Sequence, residues 1–134
     1  MIPVITWRKD RPPVERKTAC QHKLADAPEW TIISLEVSYP PDGSTPPHRH
    51  GGANVFAYVL EGEVLSGMND EEPEICRPGE SWYEPPGCRH RVSDNNSTTE
   101  RAKFMATFLI KTEVLEREGP GILVQIEPEY LAQM

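Results

Sequence analysis

The stretch "PPHRHGGANVFAYVLEGEV", Pro46 to Val64, decides how the rest of the chain is read. It sets His48 and His50 one residue apart, just ahead of the apolar run Val55 to Leu60. Side chains two positions apart on an extended segment point the same way, so both imidazoles aim into one space. Imidazole is the commonest neutral metal ligand, but an H-x-H pair alone binds weakly and needs a third donor from elsewhere. The chain has four histidines, and His90 follows a second Pro/Gly-rich stretch, "PPGCRHRV". A turn there starts another extended run and can bring His90 opposite the pair.

Around this stretch the chain reads as many short strands. Fourteen prolines and nine glycines interrupt its 134 residues, and proline breaks helices and central strands alike. "TIISLEVSY", Thr31 to Tyr39, alternates, with Ile33, Leu35, Val37 and Tyr39 on one face. "VFAYVL" is apolar on both faces, as a strand packed between two layers should be. "EVLSGM", "EICR", "ESWYE", "HRVSD", "KFMATFLI" and "GILVQI" are further candidates, divided by turns such as "PPDG", "RPGE", "PPG" and "SDNNS". The pattern predicts an all-β sandwich or barrel, with at most one short helix, at "KTEVLERE". We read residues 1–134 as a single domain, with an N-terminal arm over about 1–30 and a barrel core over about 31–127. Within the arm, "PVITW" is expected to form a strand and the remainder a loop, and such an arm suits pairing across a homodimer.

Composition narrows the function. The net charge of −7 argues against nucleic acid as a partner, whose footprint is a basic patch. No apolar run is long enough to span a bilayer, and the first residues show no secretion signal. Cys20, Cys76 and Cys88 are odd in number and widely spaced. They read as reduced thiols of a cytoplasmic protein rather than a disulfide framework. No phosphate loop, nucleophile elbow or pair of catalytic carboxylates appears.

The two histidine stretches resemble the motifs of the cupin superfamily, small RmlC-like β-barrels built around a metal. Gly43, His48, His50 and Gly62 fit the first motif, although four residues rather than five separate Gly43 from His48. Gly79, Pro85, Gly87 and His90 fit the second in full spacing, with Asp94 at the position of the family's asparagine. The resemblance spans about Leu35 to Ile110. It implies a double-stranded β-helix, or jelly-roll, with His48, His50 and His90 as a histidine triad holding one divalent transition metal. Zinc and iron(II) are the first candidates, with nickel, copper or manganese as others. The family's glutamate ligand falls on Val55, which cannot bind metal. Asn54 beside it should point to the opposite face. Imidazole N–H partners are sought among Asp94, Glu84 and backbone carbonyls.

If Val55 points inward, Ala57 and Val59 do too, and these small side chains predict a roomy, apolar pocket wall. Of "ESWYE", either Trp82 and Glu84 or Ser81 and Tyr83 face inward. The family's habit of an aromatic here favours Tyr83, leaving Tyr83 and Glu84 as catalytic candidates. Arg49, Arg89 and Arg91 should point away from the metal, and Cys88 reads as a bystander on its turn. The expected function is a metal-dependent oxidoreductase, isomerase or cyclase, of dioxygenase type if oxygen binds, acting on a small hydrophobic or aromatic metabolite. The alternative is a small-molecule-binding cupin without turnover.

Overall fold

The alternation of Thr31 to Tyr39 becomes the spine of the structure. In the computed structural model, which describes residues 4–134, this segment is β2 (Trp30–Tyr39), buried at every second residue. It follows β1 (Glu15–Lys23) and precedes the short β3 (Ser44–Thr45) and β4 (His48–Arg49). Then come β5 (Asn54–Glu61), β6 (Val64–Met68), β7 (Glu74–Cys76), β8 (Ser81–Glu84), β9 (His90–Asn95) and β10 (Ala102–Lys111). The chain ends in α1 (Thr112–Glu118), a 3₁₀ turn over Pro120–Val124, β11 (Gln125–Ile126) and the four-residue α2 (Pro128–Leu131). The helix expected at "KTEVLERE" is α1; α2 is one more than expected, opened by Pro128 at its first turn, where a missing N–H costs nothing.

Two antiparallel sheets face each other, in the jelly-roll manner. One has the order β1-β2-β10-β5-β8; the other runs β11-β4-β9-β6-β7, with β3 also on β9. Between them lie Ile33, Leu35, Val37 and Tyr39 from β2, Val55, Ala57 and Val59 from β5, and Phe104, Ala106, Phe108 and Ile110 from β10. Each fully buried aliphatic side chain of this set contributes about 1.5–3 kcal/mol. At the end of β5, Gly62 turns the chain with φ +72°, and a Cβ there would sit 2.4 Å from the Arg101 carbonyl oxygen. Only glycine fits this close approach, which accounts for the glycine closing the first motif.

The arm departs from expectation. Val4 to Trp7 is not a strand, and Pro3, the first residue of that expected strand, lies outside the described residues. The strand is β1 instead, inside the segment expected to be loop. It is an edge strand exposed along nearly its whole length, so no buried face imposed an apolar alternation on its sequence. The residues before it also have a local partner. Arg11 reaches Asp94 at 3.1 Å, and the Arg91 guanidinium donates to the carbonyls of Val4, Asn69 and Glu71. Arg91 is buried, so it fastens the arm to its own barrel rather than lying in solvent.

Candidate metal centre

The site forms where the first motif meets the second. β4 pairs antiparallel with β9, and His48 stands directly opposite His90. His50 continues the chain from β4 into the turn at Gly51 and Gly52, both at positive φ. Its ring is 4.8 Å from that of His48, and the His48 and His90 rings are 5.0 Å apart. All three are buried, and one ring nitrogen from each lies within 4.8 Å of the others. The three histidines singled out in the sequence are therefore brought together, in a cluster that could hold a metal ion.

Two rings are oriented by main-chain carbonyls. His48 Nδ1–H donates to the Pro46 oxygen at 2.7 Å, and His50 Nδ1–H donates to the Leu123 oxygen at 2.7 Å. A carbonyl only accepts, so these bonds place a proton on each Nδ1 and make Nε2 the atom that can ligate a metal. His90 Nε2 lies 3.0 Å from Ser66 Oγ. Burial holds the His48 pKa well below the ordinary imidazole range, with His90 and His50 adding to the effect. Burial also lowers that of His90, against the opposing pull of Glu84. Both are neutral near pH 7, the form that binds metal.

A buried carboxylate stands on the strand next to β5. In the β5–β8 pairing Val55 stands directly across from Glu84, and such partners share a face of the sheet. Glu84 is 2% exposed. Its Oε1 is 3.0 Å from His50 Nε2, and its Oε2 is 3.4 Å from His90 Nδ1. The Trp82 indole N–H donates to Oε2 at 3.0 Å. Burial pushes the Glu84 pKa up, but His90, His50 and the Trp82 bond together outweigh it and hold the carboxyl well below its usual range.

This arrangement fits a metal ion. His50 Nε2 and the Glu84 carboxylate approach to 3.0 Å, a contact that a cation between them, either a proton or a metal, satisfies. Two donors about 2.1 Å from one ion are roughly 3.0 Å apart at a right angle and roughly 3.4 Å apart at the tetrahedral angle. Those are the separations of Glu84 from His50 and His90.

Other expectations are corrected by the same register. Tyr83 does not face inward: it pairs with Phe56 on the outer face, stacks on that ring at 5.2 Å and is 48% exposed. Its hydroxyl donates to Asn54 Oδ1, so Asn54 also lies outside. Of the expected pocket residues, Val55 lines the cavity beside the histidines, whereas Ala57 and Val59 are core residues that do not reach it. The cavity is apolar, as expected, but not roomy. Leu35, Val37, Phe104 and Phe108 narrow it to about 30 Å³, space for a water-sized occupant or two. Asp94 serves Ser44 and Arg11 rather than an imidazole. Arg49 binds the Gly87 carbonyl and Arg89 pairs with Glu127. Cys88 is buried in the turn before β9, its thiol pKa pushed up to about 11 by burial, and lies outside the histidine cluster.

With the geometry in place, the comparison with known proteins is decisive for the family. A profile described as the cupin domain matches residues 35–108. The chain belongs to the cupin family. No curated protein matches it, but many solved structures share this cupin's fold. TT1209 from Thermus thermophilus is 22% identical with a TM-score of 0.59, covering 76% of this chain and 88% of its own. KdgF from Halomonas sp. is 16% identical with a TM-score of 0.60, covering 81% and 90%. A recombinant oxalate oxidase in complex with glycolate is 23% identical with a TM-score of 0.58, covering 76% of this chain and 54% of that one. These cupins are similar in fold, and their chemistry is their own. Among the described residues, no helix is long and apolar enough to cross a membrane.

Proposed function

We propose that this cupin is a metal-dependent enzyme for a small, largely apolar metabolite. It holds one divalent transition metal through His48, His50 and His90, with Glu84 as a fourth donor. The carrying observation is the convergence of His48, His50 and His90 in one buried cluster, with the Glu84 carboxylate 3.0 Å from His50 Nε2. Zinc and iron(II) suit the imidazoles, and the carboxylate readmits manganese, a harder ion. Bound there, such an ion supplies a Lewis acid, or an oxygen-binding centre in the case of iron(II), suited to isomerase, cyclase or dioxygenase chemistry.

The chain's own residues then do the following. The Pro46 and Leu123 carbonyls hold the His48 and His50 rings in one tautomer. Trp82 holds Glu84 in rotamer, and the Glu84 negative charge offsets part of the ion's. Leu35, Val37, Phe104 and Phe108 wall the space beside the site and limit it to a water or two, which strengthens the electrostatic interactions inside it. Tyr83, on the outer face, takes no part. The narrowness of the cavity supports a second reading, a sensor that binds a small ligand without turnover. Three free cysteines suit a reducing compartment such as the cytoplasm.

The test is elemental analysis of the gently purified protein beside His48→Ala. About one transition-metal ion per parent chain is expected, and at least a hundredfold weaker uptake by the variant. A parent without metal that takes up none on titration refutes the proposal.

A further inference from the structure

Eight of the nine arginines have a partner within the chain. Arg8 pairs with Asp10, Arg11 with Asp94, Arg77 with Glu63, Arg89 with Glu127, Arg101 with Glu61 and Arg117 with Glu113. Arg49 and Arg91 donate to main-chain carbonyls. Arg16 is the exception: among the described residues it has neither a hydrogen bond nor an ion pair. It is also the arginine that lines the cavity with His48, His50, Glu84 and His90.

Its placement is fixed by register. Arg16 stands directly across from Val37, so it shares the face on which Val37 and Leu35 turn towards the core. From the edge strand it overhangs the cavity mouth. Burial lowers its pKa, Tyr39 opposes the shift, and no carboxylate compensates. The Tyr39 hydroxyl is itself engaged by Ser93. Apart from the histidines, the remaining charged group of the cavity is Glu84, which faces them. An unpaired cation at the mouth of an otherwise apolar cavity calls for an anionic ligand group.

The geometry points to Arg16 as the recognition residue for a small monocarboxylate, held by its carboxylate at the mouth with a short apolar body directed at the histidine cluster. This names the substrate class of the proposed metal site and rests on that reading. The guanidinium fork matches a carboxylate with two parallel N–H···O bonds. A phosphate, with close to two charges, would call for further cations, and no other arginine and no lysine lines the cavity. The apolar walls of Leu35, Val37, Val55 and Phe104 suit an alkyl body.

The test uses propanoate and its neutral counterpart propanamide, titrated into the parent, Arg16→Gln and Arg16→Lys, each zinc-loaded and metal-free. Binding is followed by ¹⁵N NMR, including the Arg16 Nε–H resonance. In the parent, propanoate should shift that resonance. Arg16→Gln should weaken propanoate roughly ten- to a hundredfold and leave propanamide unchanged, and Arg16→Lys should recover only part. The inference is overturned by equal propanoate affinity in parent and Arg16→Gln, by an Arg16 resonance that does not move, or by inorganic phosphate binding more tightly than propanoate. Zinc content is measured on the same samples and should be equal in parent and Arg16→Gln. A parent that takes up no zinc refutes the metal reading, while the metal-free titrations still decide the role of Arg16.

Discussion

Glu84→Gln separates the part Glu84 plays in folding from the part it plays in holding an ion, because the two should respond with opposite signs. Gln keeps the size of Glu, and its carbonyl oxygen can still accept from Trp82 Nε1–H, now 3.0 Å from Oε2. Its NH₂ can donate to His50 Nε2, which lies 3.0 Å from the native carboxylate. The metal-free variant therefore exchanges a buried charge for a neutral hydrogen bond. Its stability should stay within about 1 kcal/mol of the parent's or exceed it.

The loaded protein should lose. Even a residue that only orients a ligand changes metal affinity by about 10–100-fold, so an anionic donor in the site should reach the upper end of that range or beyond. At fixed free zinc each tenfold loss removes about 1.4 kcal/mol of ligand-linked stability. For a domain of this size that is roughly 3–5 °C in Tm. A hundredfold loss thus shrinks the zinc-dependent rise in Tm by roughly 6–10 °C, while the metal-free Tm barely moves. The assay is paired thermal melts with chelator and with buffered zinc, checked by competition titration. The reasoning is refuted if Glu84→Gln binds zinc within threefold of the parent, or if its metal-free form melts far below the parent's.

Two further outcomes are expected. Val55→Glu sets a second carboxylate directly across from Glu84, so the metal-free variant should be destabilised by roughly 2–4 kcal/mol through burial and like-charge repulsion, with much of this recovered on adding metal; equal destabilisation with and without metal would show that position 55 does not face the ion. The protein should be a homodimer through the outer face of β5 and β8, where Phe56, Tyr58, Leu60 and Tyr83 are each 44–51% exposed, and Tyr58→Glu should dissociate it; a single 15.1 kDa species in light scattering of the parent at micromolar concentration would contradict this.

The parts of the structure that were legible in the sequence share a physical cause. Where one face of a strand is buried, a period of two is imposed on its residues, as in β2 and β10, and the same period aims His48 and His50 together; β5 is apolar on both faces, but it is not packed between two layers as expected, since Phe56, Tyr58 and Leu60 are exposed on its outer face. The tight turns need glycine and proline at fixed offsets, which made the two motifs visible. Where no face is buried, the imprint vanishes: β1 carries charges on both faces and looked like a loop. β8 failed for a different reason. Four residues, Ser81 to Glu84, mix polar and apolar on both faces, so its own alternation does not say which side is in. Only the pairing with β5 decides, and register between distant strands is not written in either strand alone. The carbonyls of Pro46 and Leu123 were equally invisible, because every residue has one.

The exchange of Val55 and Glu84 follows from the geometry of paired strands. Residues directly opposite in an antiparallel pair have Cβ atoms about 4.5–5.5 Å apart on one face, and a glutamate side chain can cover much of that distance. A donor can therefore pass from one strand to its neighbour and still address the same point in the barrel. The exchange redistributes the site along the chain. His48 and His50 come from the first motif, whereas Glu84 and His90 now flank the Pro85–Gly87 turn of the second. That turn, with Gly87 at φ +82°, then sets the distance between two donors as well as reversing the chain. The strand that gave up its carboxylate keeps Val55 against the cavity and adds to its apolar wall. With Glu84 as the proposed fourth donor the set keeps three imidazoles and one carboxylate, while the surface beside the histidines is apolar on the β5 side and carries its negative charge on the β8 side. The cavity beside the histidines therefore has an apolar wall on β5 and a buried carboxylate on β8, and this asymmetry is what a spacing of motif residues cannot convey.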